Sequence, residues 1–251
     1  MKCITVVLVT LSLAACGGES ATESKSEDSP HWTYSGEHGP EHWAELSPDY
    51  AACELGANQS PIDISASIDA DLGDLKIDYR YGTSTIINNG HTLQINSKPG
   101  NWFGAEGQRF ALQQLHFHSP SEHQLHGEAF PLEAHFVHQN EKGELAVVAI
   151  LFEEGEVSEV LELIGDLSPT VVGESNLVDI DFVALDLYGS RDSYFRYNGS
   201  LTTPPCTEGV RWFIIREPGE VAASQAANFV KLIGKDARGP QPQNARIVLR
   251  R

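Results

Sequence analysis

The chain has 251 residues, 41% of them hydrophobic, enough for one large domain or two small ones with a sizeable buried core. Its 35 acidic side chains against 17 basic ones leave a formal charge of −18. That balance repels phosphate backbones and acidic substrates, which argues against nucleic acid and leaves neutral molecules and metal cations open.

Lys2 precedes a short apolar run, Ile4 to Leu13, which ends in Leu13-Ala14-Ala15-Cys16. About ten apolar residues are too few to span a bilayer as a helix, so residues 1–15 read as an export signal. Small residues before a cysteine resemble the lipobox of bacterial lipoproteins, whose cysteine is acylated; an ordinary signal peptide containing a cysteine is the alternative. Residues 16–30 are Gly, Ser, Glu and Asp with almost nothing apolar, the composition of a disordered acidic tether. The expectation is an exported, periplasmic protein held to a bacterial membrane by lipid on Cys16. Cys3 and Cys16 fall in the leader, which leaves Cys53 and Cys206 in the mature domain. Two cysteines in an oxidising compartment can form one disulfide, and two buried thiols are the alternative.

From His31 to the end no linker or repeat interrupts the chain. Short apolar alternations separated by turn residues predict strands over Ser84–Asn96, Arg109–His118, Leu132–His138, Leu145–Phe152 and Val210–Arg216. Helical spacing predicts two amphipathic helices, Val157–Leu167 and Glu220–Ile233, lying outside the sheet. Residues 31–251 therefore read as one mainly β domain with a few peripheral helices.

Six of the ten histidines fall between His116 and His138. Strict alternation over Arg109–His118 predicts Gln114, His116 and His118 on one face, with Gln113, Leu115 and Phe117 on the other. Two imidazoles at i and i+2 start about 6.6 Å apart along a strand and can tilt to share a metal. Glu133, His135 and Val137 share one face of the next strand, so His135 can supply a third ligand. Glu133 stands beside it to accept its second ring proton, and the Gln114 carbonyl can do the same for His116. Three neutral nitrogens without a thiolate suit zinc and leave a fourth position open for water, the catalytic pattern. His123, His126 and His138 remain rival ligands, because periodicity does not separate them.

The neighbourhoods of these histidines resemble the α-carbonic anhydrases. The matching motifs are Gln114-Leu-His-Phe-His118, Ser121-Glu-His123, Glu133-Ala-His-Phe-Val-His138 and Ser200-Leu-Thr-Thr-Pro-Pro205. Outside them, His31-Trp32, Gly39-Pro-Glu-His-Trp43, Asn58-Gln-Ser-Pro-Ile-Asp-Ile64 and Asn88-Asn-Gly-His91 follow in the family's order. The resemblance covers roughly His31 to Arg250.

It implies a large twisted, mostly antiparallel sheet of about ten strands and the family's reaction, attack of a zinc-bound hydroxide on carbon dioxide to give bicarbonate. It implies His116, His118 and His135 as zinc ligands, with Gln114 and Glu133 behind them. Thr202 would donate to Glu122 and accept from the metal-bound group, and Thr203 would help hold bicarbonate. Val137, Val147, Leu201, Val210 and Trp212 would form the apolar wall for carbon dioxide, and His91 would be the proton shuttle. Cys53 and Cys206 match positions bridged in exported bacterial members, which are often dimers, although no patch in the sequence marks an interface. The chain departs from common animal members in following His118 with Ser119-Pro120.

Overall fold

The computed structural model describes residues 30–80, 82, 84–178 and 192–251; the leader, Cys16 and all of the tether but Pro30 lie outside them. The unit described is His31–Arg251. Its strands, in chain order among the described residues, are β1 (Asp63–Ile64), β2 (Ile68–Asp69), β3 (Lys76–Asp78), β4 (Ser84–Asn88), β5 (Leu93–Asn96), β6 (Trp102–Ala105), β7 (Gln108–His118), β8 (Gln124–Leu125), β9 (Glu128–Ala129), β10 (Leu132–Gln139), β11 (Leu145–Glu154), β12 (Ser175–Val178), β13 (Tyr194–Ser200), β14 (Glu208–Ile215), β15 (Gly219–Val221) and β16 (Leu249–Arg250). The α-helices among the described residues are α1 (Trp43–Leu46), α2 (Ala52–Leu55), α3 (Glu159–Leu167) and α4 (Ala223–Ile233).

Among the described residues thirteen strands join one sheet, with a main path β12-β4-β5-β7-β10-β11-β14-β13-β16-β2. Within this sheet pairing is antiparallel except where β11 meets β14 and β15 and where β16 meets β2. The mostly antiparallel expectation holds, and the sheet is mixed around β11. That strand is covered on both faces, as its unbroken apolar run requires. Ala146, Val148, Ile150 and Phe152 enter one core with Leu115, Phe117, Ala134, Phe136 and Phe213. Val147, Ala149 and Leu151 enter a second with Ile62, Tyr197, Val210, Trp212 and Ile214. The helices α3 and α4 close the first core with Leu161, Ile164 and Phe229.

Three local expectations change. Ser84–Asn96 is a hairpin: the Asn89 carboxamide accepts from the His91 and Thr92 amides at 2.9 Å each, and Gly90 takes φ 87°. An Asx turn with glycine at positive φ closes β4 onto β5 and puts His91 at the bend. The segment Glu220–Ile233 splits, because Gly219–Val221 adds to the end of β11 before the helix begins.

The alternation over Arg109–His118 also breaks. Val137 pairs with Gln114 but His138 pairs with Leu112, so Gln113 is an extra, exposed residue in β7. Phe110 and Leu112 before this bulge and Leu115 and Phe117 after it all reach the first core. Without the extra residue, His116 and His118 would follow Phe110 and Leu112 into that core; the bulge turns them to the opposite face.

Candidate active site

Antiparallel pairing of β7 with β10 puts His116 opposite His135 and Glu133 opposite His118. The ring centroids are 5.0 Å apart for His116 and His118, 5.1 Å for His116 and His135, and 4.7 Å for His118 and His135. One nitrogen of each ring lies within 4.8 Å of the other two.

The second nitrogen of each ring is held from behind. His116 Nδ1 donates to Gln114 Oε1 at 2.8 Å, His118 Nδ1 to the Asp236 carbonyl at 2.7 Å, and His135 Nε2 to Glu133 Oε1 at 2.6 Å. These oxygens only accept, so each neutral ring keeps its lone pair on the other nitrogen. The bare donors are therefore His116 Nε2, His118 Nε2 and His135 Nδ1. His118 Nε2 and Glu122 Oε2, 3.5 Å apart, are buried without hydrogen-bond partners. Orphaned polar atoms are costly unless a further group satisfies them. Three neutral nitrogens, no thiolate and such orphans fit a zinc ion with one position left open.

Burial holds the His116 pKa well below 6.5, helped by the charges of His118 and His135. Burial also lowers His135, against the opposing pull of Glu133. For His118 burial again acts downward, but the charges of Glu122 and Asp236 carry the net shift upward.

The rival histidines are otherwise engaged. His123 donates from Nδ1 to Glu133 Oε1 and accepts at Nε2 from the Tyr197 hydroxyl, both at 2.7 Å. A second grouping of His123, Glu133 and His135 is close enough for a cation, but using it would break these bonds. His138 projects from the opposite face of β10, its ring 5.0 Å from Phe103. His126 is exposed at a bend between β8 and β9, with φ 54°.

Beside His135 the register lines up Val137, Val147 and Trp212 across β10, β11 and β14. Val210 belongs to the same cluster and Leu201 packs on it. The five expected apolar residues thus gather on the histidine face of the sheet, and the Trp212 ring stands 4.9 Å from His135.

The family model of eukaryotic-type carbonic anhydrase matches residues 38–251. The chain belongs to that family. It is 41% identical to a carbonic anhydrase of Pectobacterium carotovorum over 96% of this chain and 97% of the relative. It is 38% identical to one of Neisseria gonorrhoeae, with 96% of both chains covered. Among solved structures, the α-carbonic anhydrase of Thermovibrio ammonificans with the inhibitor sulfanilamide superposes with a TM-score of 0.85 at 41% identity, covering 88% of this chain and 99% of that one. The chain is a carbonic anhydrase by class, and the family's reaction is the hydration of carbon dioxide.

Other residues expected from carbonic anhydrase motifs lie as follows. Thr202 is buried and Thr203 half-buried in the loop after β13, which ends at the Cys53–Cys206 disulfide. The expected Thr202–Glu122 hydrogen bond is not formed. Glu122 Oε1 accepts instead from the Arg238 amide at 2.9 Å, while Oε2 lies 3.5 Å from His118 Nε2 and 4.0 Å from His135 Nδ1. His91 stacks on Trp32 with centroids 3.8 Å apart and planes 12° off parallel, and its ring is 6.4 Å from His31. Partial burial lowers its pKa, and His31 adds to the shift.

Three contributors have no signal in local sequence pattern. The Asp236 carbonyl holds His118 from 118 residues away, the Arg238 amide holds Glu122, and Tyr197 anchors His123. Two are backbone groups, which leave no residue-type signature. Tyr197 stands in a strand where an aromatic reads as core.

Proposed function

We propose that the chain is a zinc-dependent enzyme interconverting carbon dioxide and bicarbonate, with His116 Nε2, His118 Nε2 and His135 Nδ1 as the protein ligands. The observation that carries this reading is three imidazole lone pairs converging, each ring pinned from behind by an acceptor. Zinc held there supplies Lewis acidity and lowers the pKa of a coordinated water to about 7, the figure established for carbonic anhydrases themselves.

The residues divide the remaining work. Gln114, the Asp236 carbonyl and Glu133 fix the ring tautomers and make the free nitrogens more basic. Val137, Val147, Leu201, Val210 and Trp212 offer carbon dioxide weak apolar contact, so the substrate is placed without being trapped. Thr202 and Thr203 offer hydroxyls to the charged product. Glu122 can act as an obligate acceptor for the Thr202 hydroxyl; once Thr202 donates to it, the threonine oxygen can only accept, which sets the direction of any donor in front of it. His91 takes the proton at a ring nitrogen and releases it to solvent, the lowering of its pKa by partial burial and by His31 easing that release. Export, with lipid on Cys16 joining the domain to a bacterial membrane, belongs to the same proposal and rests on the Leu13–Cys16 motif.

The test is stopped-flow hydration of carbon dioxide with and without a zinc chelator. Chelation is expected to abolish the rate and added zinc to restore it. Sulfanilamide, bound by the Thermovibrio ammonificans relative, is expected to inhibit. A rate indifferent to chelation would overturn the assignment.

A further inference from the structure

Segment 236–238 supplies two polar atoms to the site. The Asp236 carbonyl accepts from His118 Nδ1 at 2.7 Å, and the Arg238 amide donates to Glu122 Oε1 at 2.9 Å. At one end the segment is tied to the residue that follows β7, where the Ser119 amide donates to Asp236 Oδ1 at 2.7 Å. At the other end the tie is the Arg238 side chain, which is 2% exposed. Its guanidinium donates from Nη1 to Gln59 Oε1 at 2.9 Å and to the Ser60 carbonyl at 2.7 Å, and from Nη2 to the Cys53 carbonyl at 2.7 Å. The Cζ atom lies 5.7 Å from the Trp43 ring, and Nε is buried without a partner.

The guanidinium's hydrogen-bond acceptors are all neutral and one nitrogen is orphaned, so apart from the attraction of the Glu122 charge its burial is a poor stabilising device, since desolvating the charge costs more than such bonds return. What the arrangement does provide is rigidity. Three bonds in a planar fork fix a segment that has no regular secondary structure of its own. The acceptors also connect the two sides of the disulfide: Gln59 Nε2 donates to the Cys206 carbonyl at 3.0 Å while Gln59 Oε1 accepts from Arg238.

We infer that Arg238 is a positioning residue of the active site, clamping segment 236–238 against Cys53–Ser60 so that it orients His118 and Glu122 together. The inference rests on the roles proposed above for those two residues. Arg238 touches neither substrate nor metal. It acts on zinc affinity through the Asp236 carbonyl and on turnover through its own amide.

The experiment compares wild type with Arg238→Gln, Arg238→Lys, Glu122→Gln and, as a destabilised control, Leu46→Ala, whose side chain packs on the same Trp43–Cys53–Cys206 cluster. Zinc affinity is read by chelator competition on the protein without substrate, and kcat and KM for carbon dioxide are read separately, all well below each variant's Tm. Arg238→Gln is expected to weaken zinc binding and lower kcat, each by about ten- to a hundredfold, with KM changed less than about twofold. Arg238→Lys should recover part of both losses, because an ammonium can still reach the Cys53 or Ser60 carbonyl. Leu46→Ala should lower Tm alone.

If both Arg238 variants lower Tm yet keep wild-type zinc affinity and kcat, the residue is merely structural and the inference fails. Should Arg238→Gln not fold, Arg238→Lys decides the matter by the same two readouts. A fully active Glu122→Gln would instead sink the underlying reading of Glu122, whatever the Arg238 variants show.

Discussion

His116 and His135 face each other directly across the β7–β10 ladder, their rings 5.1 Å apart and nearly perpendicular at 88°. Each is pinned by a side chain two residues back on its own strand, Gln114 and Glu133. His135→Ala is expected to abolish both metal binding and hydration, with wild type holding one zinc per chain by elemental analysis. Glu133→Gln should retain metal with affinity reduced about ten- to a hundredfold. Full zinc occupancy in His135→Ala, or two zincs in wild type, would refute the ligand set.

His91 lies flat against Trp32 at the bend between β4 and β5, outside the three-histidine group. Proton export follows the chemical step, so His91→Ala should lower kcat about tenfold or more while leaving kcat/KM for carbon dioxide nearly unchanged. Added imidazole should restore much of the rate. A variant as fast as wild type in weak buffer would assign the relay to another group.

The Cys53–Cys206 bridge spans 153 residues. Chain entropy for so long a loop gives about 5 kcal/mol as an upper estimate of its stabilisation. The bridge also ties the loop carrying Thr202 to the short helices near the N-terminus. Reduction, or Cys206→Ser, is expected to lower both Tm and turnover. Unchanged values for the reduced protein would show that packing alone holds the loop.

His138 is buried in the first core, where its Nδ1 donates to the Ala146 carbonyl at 3.2 Å and Nε2 accepts from the Tyr79 hydroxyl. Burial pushes its pKa from 6.5 to about 3. Between those values the unfolded chain binds a proton here that the folded chain does not. Stability therefore falls as pH drops through that window, by about 1.4 kcal/mol per unit at the steepest. Gln can make both hydrogen bonds without titrating, so His138→Gln should flatten the fall of Tm between about pH 6.5 and 4. Parallel Tm profiles for the two proteins would contradict this.

Cys16→Ser tests the proposed anchor. The variant should move from membrane fractions to the soluble periplasm and lose acylation detectable by mass spectrometry. A wild type already soluble and unacylated would point to an ordinary signal peptide.

The sequence alone determined the strands that carry the proposed ligands, and two of the three groups that pin their rings. A strand repeats every two residues, so Gln114, His116 and His118, and Glu133 with His135, share faces wherever the strands lie. It left four histidines competing for the third ligand position, because period two says nothing about which residue of the next strand stands opposite. The β7–β10 register is what brings His135 opposite His116. The slip at Gln113 is marked only by the apolar positions stepping from Phe110 and Leu112 to Leu115 and Phe117, and two adjacent glutamines do not show which of them is the extra residue. Asp236 and Arg238 reach the site through a carbonyl and an amide that every non-proline residue possesses, and the Arg238 guanidinium finds Cys53 across 185 positions. Such contacts follow from how loops close around the folded sheet, and that is decided only when the tertiary structure brings distant backbone together.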